Sequence, residues 1–122
     1  MADARAMPDA VPALAATALF ARGPTHIRGV GALRYKESNR IEALARELGR
    51  LGARVDTSAD AMIVYPTSAT CAGRMFTEGD HRIAMALAIA GLRLRGCAVE
   101  NPECVSKSYP EFWAHFAAFE GM

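Results

Sequence analysis

Apolar residues recur every three or four positions in four stretches of this chain, and short β-branched or alternating runs separate them. Pro8 to Arg22 predicts a first helix, with Asp9 near its start and Gly23-Pro24 ending it. Thr25–Arg28 reads as a short strand. The clearest helix comes next: Ile41, Leu44, Leu48 and Leu51 line one face, Glu42, Arg46, Glu47 and Arg50 occupy the rest, and Gly52 stops it. Asn39 stands as N-cap three residues before Glu42, in the manner of a capping box, so this helix begins within a residue or two of Ser38.

Arg54–Thr57 and Met62–Tyr65 predict two strands joined by Ser58–Ala61, followed by a polar loop over Pro66–Gly73. Asp80-His81-Arg82 opens an alanine-rich helix that runs to about Arg95 and stops at Gly96. A strand through Cys97, Ala98 and Val99 follows, then a turn at Asn101-Pro102 and an extended piece at Cys104-Val105. Tyr109-Pro110 begins a last helix carrying Phe112, Trp113, Phe116 and Phe119. Helices alternate with strands, which predicts an α/β (α+β) fold.

The pattern repeats. Asp9 and Asp80 each open an alanine-rich helix, Gly23 and Gly96 each close it, and Lys36 and Lys107 each precede a further helix. One supersecondary unit recurs at an offset of roughly 70 residues, over about 1–72 and 73–122. Lys36 and Lys107 therefore occupy equivalent corners.

Composition narrows the class. At 122 residues, 52% hydrophobic and 22% charged, the chain is large enough to bury a core without disulfides or metals. A formal net charge of +1 argues against a general nucleic-acid binder, so any anion site is local. Cys71, Cys97 and Cys104 form no CxxC pair, and the three His residues have no ligand spacing, so no metal and no disulfide framework is expected. The longest apolar stretch, Ile83 to Leu92, is about half a membrane span, and the interrupted N-terminal region is unlike a secretory signal. A cytoplasmic setting without membrane contact is the expectation.

Lys36-Glu37-Ser38-Asn39-Arg40 carries the chemical signal. A helix start presents unpaired N–H groups and partial positive charge, and cations gathered there suit a phosphate or carboxylate. An equivalent corner at Lys107 suggests that both converge on one anionic ligand.

That segment also resembles the Lys-Glu-Ser/Thr-Asp-Arg signature of the 5-enolpyruvylshikimate-3-phosphate synthase family. Gly79-Asp80-His81-Arg82-Ile83-Ala84-Met85-Ala86 is similar to the family's Asp-His-Arg-x-x-Met-Ala signature, and Asn101 to Pro110 is similar to its C-terminal Lys-containing one. The resemblance implies transfer of the enolpyruvyl group of phosphoenolpyruvate to the 5-hydroxyl of shikimate 3-phosphate, with no cofactor. By position, Lys36 falls to the shikimate 3-phosphate side, and Arg40, Arg82 and Lys107 to the phosphate and carboxylate of phosphoenolpyruvate. Glu37 falls to proton transfer at its methylene carbon, and Asp3 to the acceptor hydroxyls. His81 stands beside substrate phosphate, and Asp80 is equally a helix cap or a ligand.

Asn39 in place of the signature Asp implies a less balanced charge on Lys36 and Arg40, and Ala32 stands where relatives often carry a polar residue. The resemblance further implies a two-domain enzyme with three βαβαββ units per domain. This chain matches about two units of the second, so it is expected to be a C-terminal fragment without its N-terminal domain, inactive alone and sticky, dimeric or marginally stable. A noncatalytic phosphate-binding module of the same fold, or a relative of the UDP-N-acetylglucosamine enolpyruvyl transferases, are the alternative readings.

Overall fold

The computed structural model describes residues 2–69, 73–94, 96 and 98–120, the side chains of Ala2, Lys107, Phe119 and Glu120 excepted. Along this chain the elements are β1 (Ala2–Asp3), α1 (Val11–Ala18), β2 (Thr25–Arg28), α2 (Arg40–Arg50), β3 (Val55–Thr57), β4 (Ala61–Val64), β5 (Arg74–Met75), α3 (His81–Ala90), β6 (Ala98–Val99) and α4 (Phe112–Glu120). Short 3₁₀ turns occupy Pro8–Ala10, Gly31–Tyr35 and Pro102–Lys107.

β1 pairs parallel with β2, and β5 pairs parallel with β6, so α1 and α3 are the crossover helices of two β-α-β units. β2 and β3 flank β4 antiparallel, giving a sheet in the order β1-β2-β4-β3. The fold is α/β, as the alternation of elements predicts. Each crossover leads through a 3₁₀ turn into a further helix, so Lys36 follows one turn and Lys107 ends the other.

The core lies where the helices cover one face of the sheet. Ile27, Met62 and Val64 alternate with more exposed neighbours along β2 and β4 and meet Leu44, Leu48 and Leu51 of the α2 region. α1 packs on α3, where Ala15, Ala16, Ala84 and Ala88 are buried and small enough to let the two backbones approach. An open apolar cavity of about 560 Å³ between these helices, lined by Leu14, Phe20, Ile89 and Leu92 among others, leaves Leu14 and Leu92 partly exposed.

Several predicted boundaries shift for local reasons. The first helix is α-helical only over Val11–Ala18, because Pro12 has no N–H to give the carbonyl of Pro8, and the entry tightens into a 3₁₀ turn. Its end tightens as well, through i to i−3 bonds from Leu19, Phe20 and Ala21. α3 stops at Ala90 in the same way, with Leu92 and Arg93 bonding back to Ile89 and Ala90. Cys104 and Val105, expected to be extended, lie in the 3₁₀ turn: left-handed Asn101 (φ 56°) and the fixed φ of Pro102 start it, and the Ser106 hydroxyl donates to the Glu103 carbonyl. Thr70, Cys71 and Ala72 of the predicted loop, Arg95 at the predicted helix end and Cys97 of the predicted strand lie outside the described residues, as does the Phe119 side chain.

Glu47 departs furthest from the expectation of a polar outer face on α2. It is fully buried, accepting the Phe76 N–H at 2.8 Å and the Nε–H groups of Arg46 at 2.7 Å and Arg50 at 3.2 Å. This carboxylate ties α2 to the strand that precedes α3. Glu47→Gln removes the charge and sets a buried amide NH2 against the Arg46 and Arg50 donors with no acceptor, which should cost about 1–3 kcal/mol in a urea melt.

Candidate functional site

Two helix starts meet at the centre of the molecule. Asn39 caps α2 by accepting the Glu42 N–H at 3.2 Å, and its amide donates to the Glu42 carboxylate at 3.4 Å. Asp80 caps α3 by accepting the Arg82 N–H at 2.9 Å. These caps project Arg40 and His81, the first residue of each helix, toward the junction.

Arg40 is the hub. Its side chain is 1% exposed and meets three carboxylates: Nε donates to Asp80 Oδ2 at 2.8 Å, Nη2 to Glu37 Oε2 at 2.6 Å and Asp80 Oδ1 at 3.2 Å, and Nη1 to Asp9 Oδ1 at 3.0 Å. Asp80 is fully buried and also accepts the Ser38 hydroxyl at 2.7 Å. Burial pushes its pKa up, but the bonds from Arg40 and Ser38, the charge of Arg40 and the Arg82 N–H outweigh it and hold the carboxyl below its ordinary range. The guanidinium stays charged for the converse reason: its burial is outweighed chiefly by Asp80.

The rim is more open. His81, nearly buried, places Nε2 3.6 Å from Glu37 Oε2. Arg82 Nη2 lies 3.8 Å from Asp9 Oδ2. His81 Nδ1 and Arg82 Nε are buried without a hydrogen-bond partner, leaving polar capacity unused beside the two helix starts. His81, Glu37 and Asp80 also bring one donor atom each within 4.8 Å of one another, but Arg40 already bonds both carboxylates there. A divalent cation in that place would have to displace a guanidinium.

Glu37, Arg40, His81 and Arg82 are thus brought together from segments far apart in sequence. Lys36 lies beside them on the exposed loop before α2 and makes no ion pair among the described residues. Asp3 belongs to a different set of contacts. It binds Arg5 at 2.7 Å, with Arg28 at 3.5 Å, and the Arg5 side-chain and N–H bonds lower its pKa to about 2. It sits on β1 against Gly29, whose φ of 75° and lack of a Cβ leave room for the carboxylate. Lys107 ends its 3₁₀ turn, packed as a turn on α3, and its side chain lies outside the described residues.

Asp9 and Ser38 are participants that sequence reasoning passed over, and Asp80 turns out to be a cap and an ion-pair partner at once. The signal for Asp9 was the repeat itself, because Asp9 and Asp80 hold equivalent places and both converge on Arg40. Asn39 does not leave Arg40 short of balancing charge, since three other carboxylates supply it.

An α/β scaffold that gathers cations and carboxylates at two helix starts defines a class of anion-handling domains, and the comparisons with known proteins narrow it. The profile of the EPSP synthase family (3-phosphoshikimate 1-carboxyvinyltransferase) matches residues 2–116, so the chain belongs to that family. It is 45% identical over 116 residues to the 3-phosphoshikimate 1-carboxyvinyltransferase of Methanosphaerula palustris, covering 95% of this chain and 27% of that protein. The same identity holds over 115 residues with the Syntrophobacter fumaroxidans protein of that name, covering 93% and 27%. The EPSP synthase structure from Acinetobacter baumannii superposes with a TM-score of 0.80 at 32% identity, covering 90% of this chain and 26% of that one. The chain therefore spans about a quarter of the length of these relatives.

The depressed pKa of Asp80 gives a pH prediction with a definite sign. A carboxyl held lower when folded than when unfolded adds stability above its unfolded pKa, about 3.9, and loses it as pH falls through the folded value. Urea melts at pH 7 and pH 3 should show Asp80→Asn destabilised chiefly at pH 7, with a smaller difference between the two pH values than in the unaltered chain.

Proposed function

We propose that this chain supplies one side of an active site that transfers the enolpyruvyl group of phosphoenolpyruvate to the 5-hydroxyl of shikimate 3-phosphate, within aromatic amino acid biosynthesis. The observation that carries this reading is the convergence of Glu37 and Arg40 from one signature with His81 and Arg82 from another. In the reaction, the 5-hydroxyl gives up its proton as its oxygen bonds to C2 of phosphoenolpyruvate, while C3 gains a proton from the acid beside it. The tetrahedral intermediate then loses a C3 proton and phosphate, restoring the double bond.

Glu37 is suited to the proton at C3, being partly exposed and beside both a guanidinium and an imidazole. Arg82 at the rim, and Arg40 Nη1 behind the half-exposed Asp9, are parts of planar guanidinium groups that can hold carboxylate or phosphate. Lys36, unpaired among the described residues, falls to the 3-phosphate side, Lys107 to phosphoenolpyruvate and Asp3 to the acceptor hydroxyls. Both substrates are multiply charged anions, which accounts for cations at several corners.

The chain corresponds in this reading to two βαβαββ-type units of the C-terminal domain, about 1–72 and 73–122, and the remaining length of the relatives supplies the opposite wall in a cytoplasmic enzyme. Holding two substrates in reacting geometry contributes about 7–11 kcal/mol in favourable systems, and one wall cannot do it. The chain alone should therefore release no phosphate. Mixing it with a separately made polypeptide carrying the remaining family length should restore release, and Glu37→Gln should lower turnover about 10²–10⁴-fold. No release at any mixing ratio would count against the proposal.

A further inference from the structure

We infer that the carboxylate of Asp9 is a displaceable place-holder for the substrate anion, an inference that rests on the reading of Arg40 and Arg82 as anion-binding groups. One oxygen of Asp9 lies 3.0 Å from Arg40 Nη1 and the other 3.8 Å from Arg82 Nη2. Among the described residues, Asp9 is the one carboxylate paired with both arginines, one from each helix start. A carboxylate already divided between the two guanidiniums shows the anion geometry this pair accepts: two oxygens on one planar or tetrahedral centre, one to each arginine.

Charge explains why the place must be vacated. Two guanidiniums, Arg40 and Arg82, face three carboxylates, Asp9, Glu37 and Asp80, so the positive charge of both arginines is already met within the cluster. A further anion therefore competes with one of these carboxylates for the guanidiniums. Asp80 is fully buried and bonded to Arg40, Ser38 and the Arg82 N–H, and Glu37 is 35% exposed with the shortest bond to Arg40. Asp9 is 55% exposed, makes a single bond to Arg40, and stands in a 3₁₀ turn whose opening breaks no strand. It gives up least on leaving, because water solvates it as it turns outward. Buried Arg82 Nε, which has no partner, gives the incoming anion a second donor on the same guanidinium.

The consequence is selectivity. An anion that takes up the place must satisfy both arginines better than Asp9 does, which favours a phosphate or carboxylate able to bridge them over a monodentate ion such as chloride. Inorganic phosphate and, separately, phosphoenolpyruvate are titrated into the 122-residue chain while NMR follows the Nε–H signals of Arg40 and Arg82 and the carboxyl carbon of Asp9. All three signals should move together. Asp9→Asn should bind roughly fivefold more tightly, and Asp9→Glu, which keeps the charge, should stay within about twofold of the unaltered chain. Equal or weaker binding by a folded Asp9→Asn, or an Asp9 signal that stays fixed while the arginine signals shift, overturns the place-holder and leaves the anion site standing. No arginine shift in any form overturns both. The signal of Asp9 in the unaltered chain decides the matter even where the variant does not fold.

Discussion

The pairing of Arg40 with Asp80 is the interaction on which the rest of this structure depends. Both side chains are withdrawn from water, at 1% and 0% exposure, so neither charge is tolerable without the other. Arg40 begins one helix and Asp80 caps the other, which means the pair settles the distance and orientation between two helix starts. Ser38 and the Arg82 N–H complete the bonding of Asp80 and leave little slack. A buried ion pair of this kind contributes modestly to net stability, because desolvation opposes attraction, but it penalises every arrangement in which the partners separate.

From that constraint follows the layout of the site. With Asp80 consumed in positioning, Glu37 and Asp9 remain as the carboxylates on the open side, Glu37 between Arg40 and His81. Arg82 reaches the rim because its own backbone N–H, not its side chain, is held by the cap. Membership of the EPSP synthase family gives the cluster a chemical setting.

Much of the fold was legible because local rules governed it. The amphipathic pattern of Ile41, Leu44 and Leu48, the Asn39 cap and the alanine-rich crossover helices follow from periodicity and capping, which act over a few residues. The two-residue strands β1 and β5 were not legible, since a pair of residues has no period and their pairing exists only through the parallel partners. The 3₁₀ turn over Cys104 and Val105 was missed for a related reason: it arises from left-handed backbone at Asn101. Glu47 looked like an ordinary polar-face residue until Phe76 and two arginines enclosed it.

The amino-acid sequence by itself determined the order of the four helices and of β2, β3, β4 and β6, the cations at helix starts and the resemblance to the family, because each resides in spacing and identity along the chain. Tertiary structure alone decided which charges are spent on one another. No spacing rule places Asp9, 31 residues away, and Asp80, 40 residues away, on one guanidinium. That choice depends on which carboxylates lose their water together with Arg40, and burial is a property of the packed molecule, not of any segment of it.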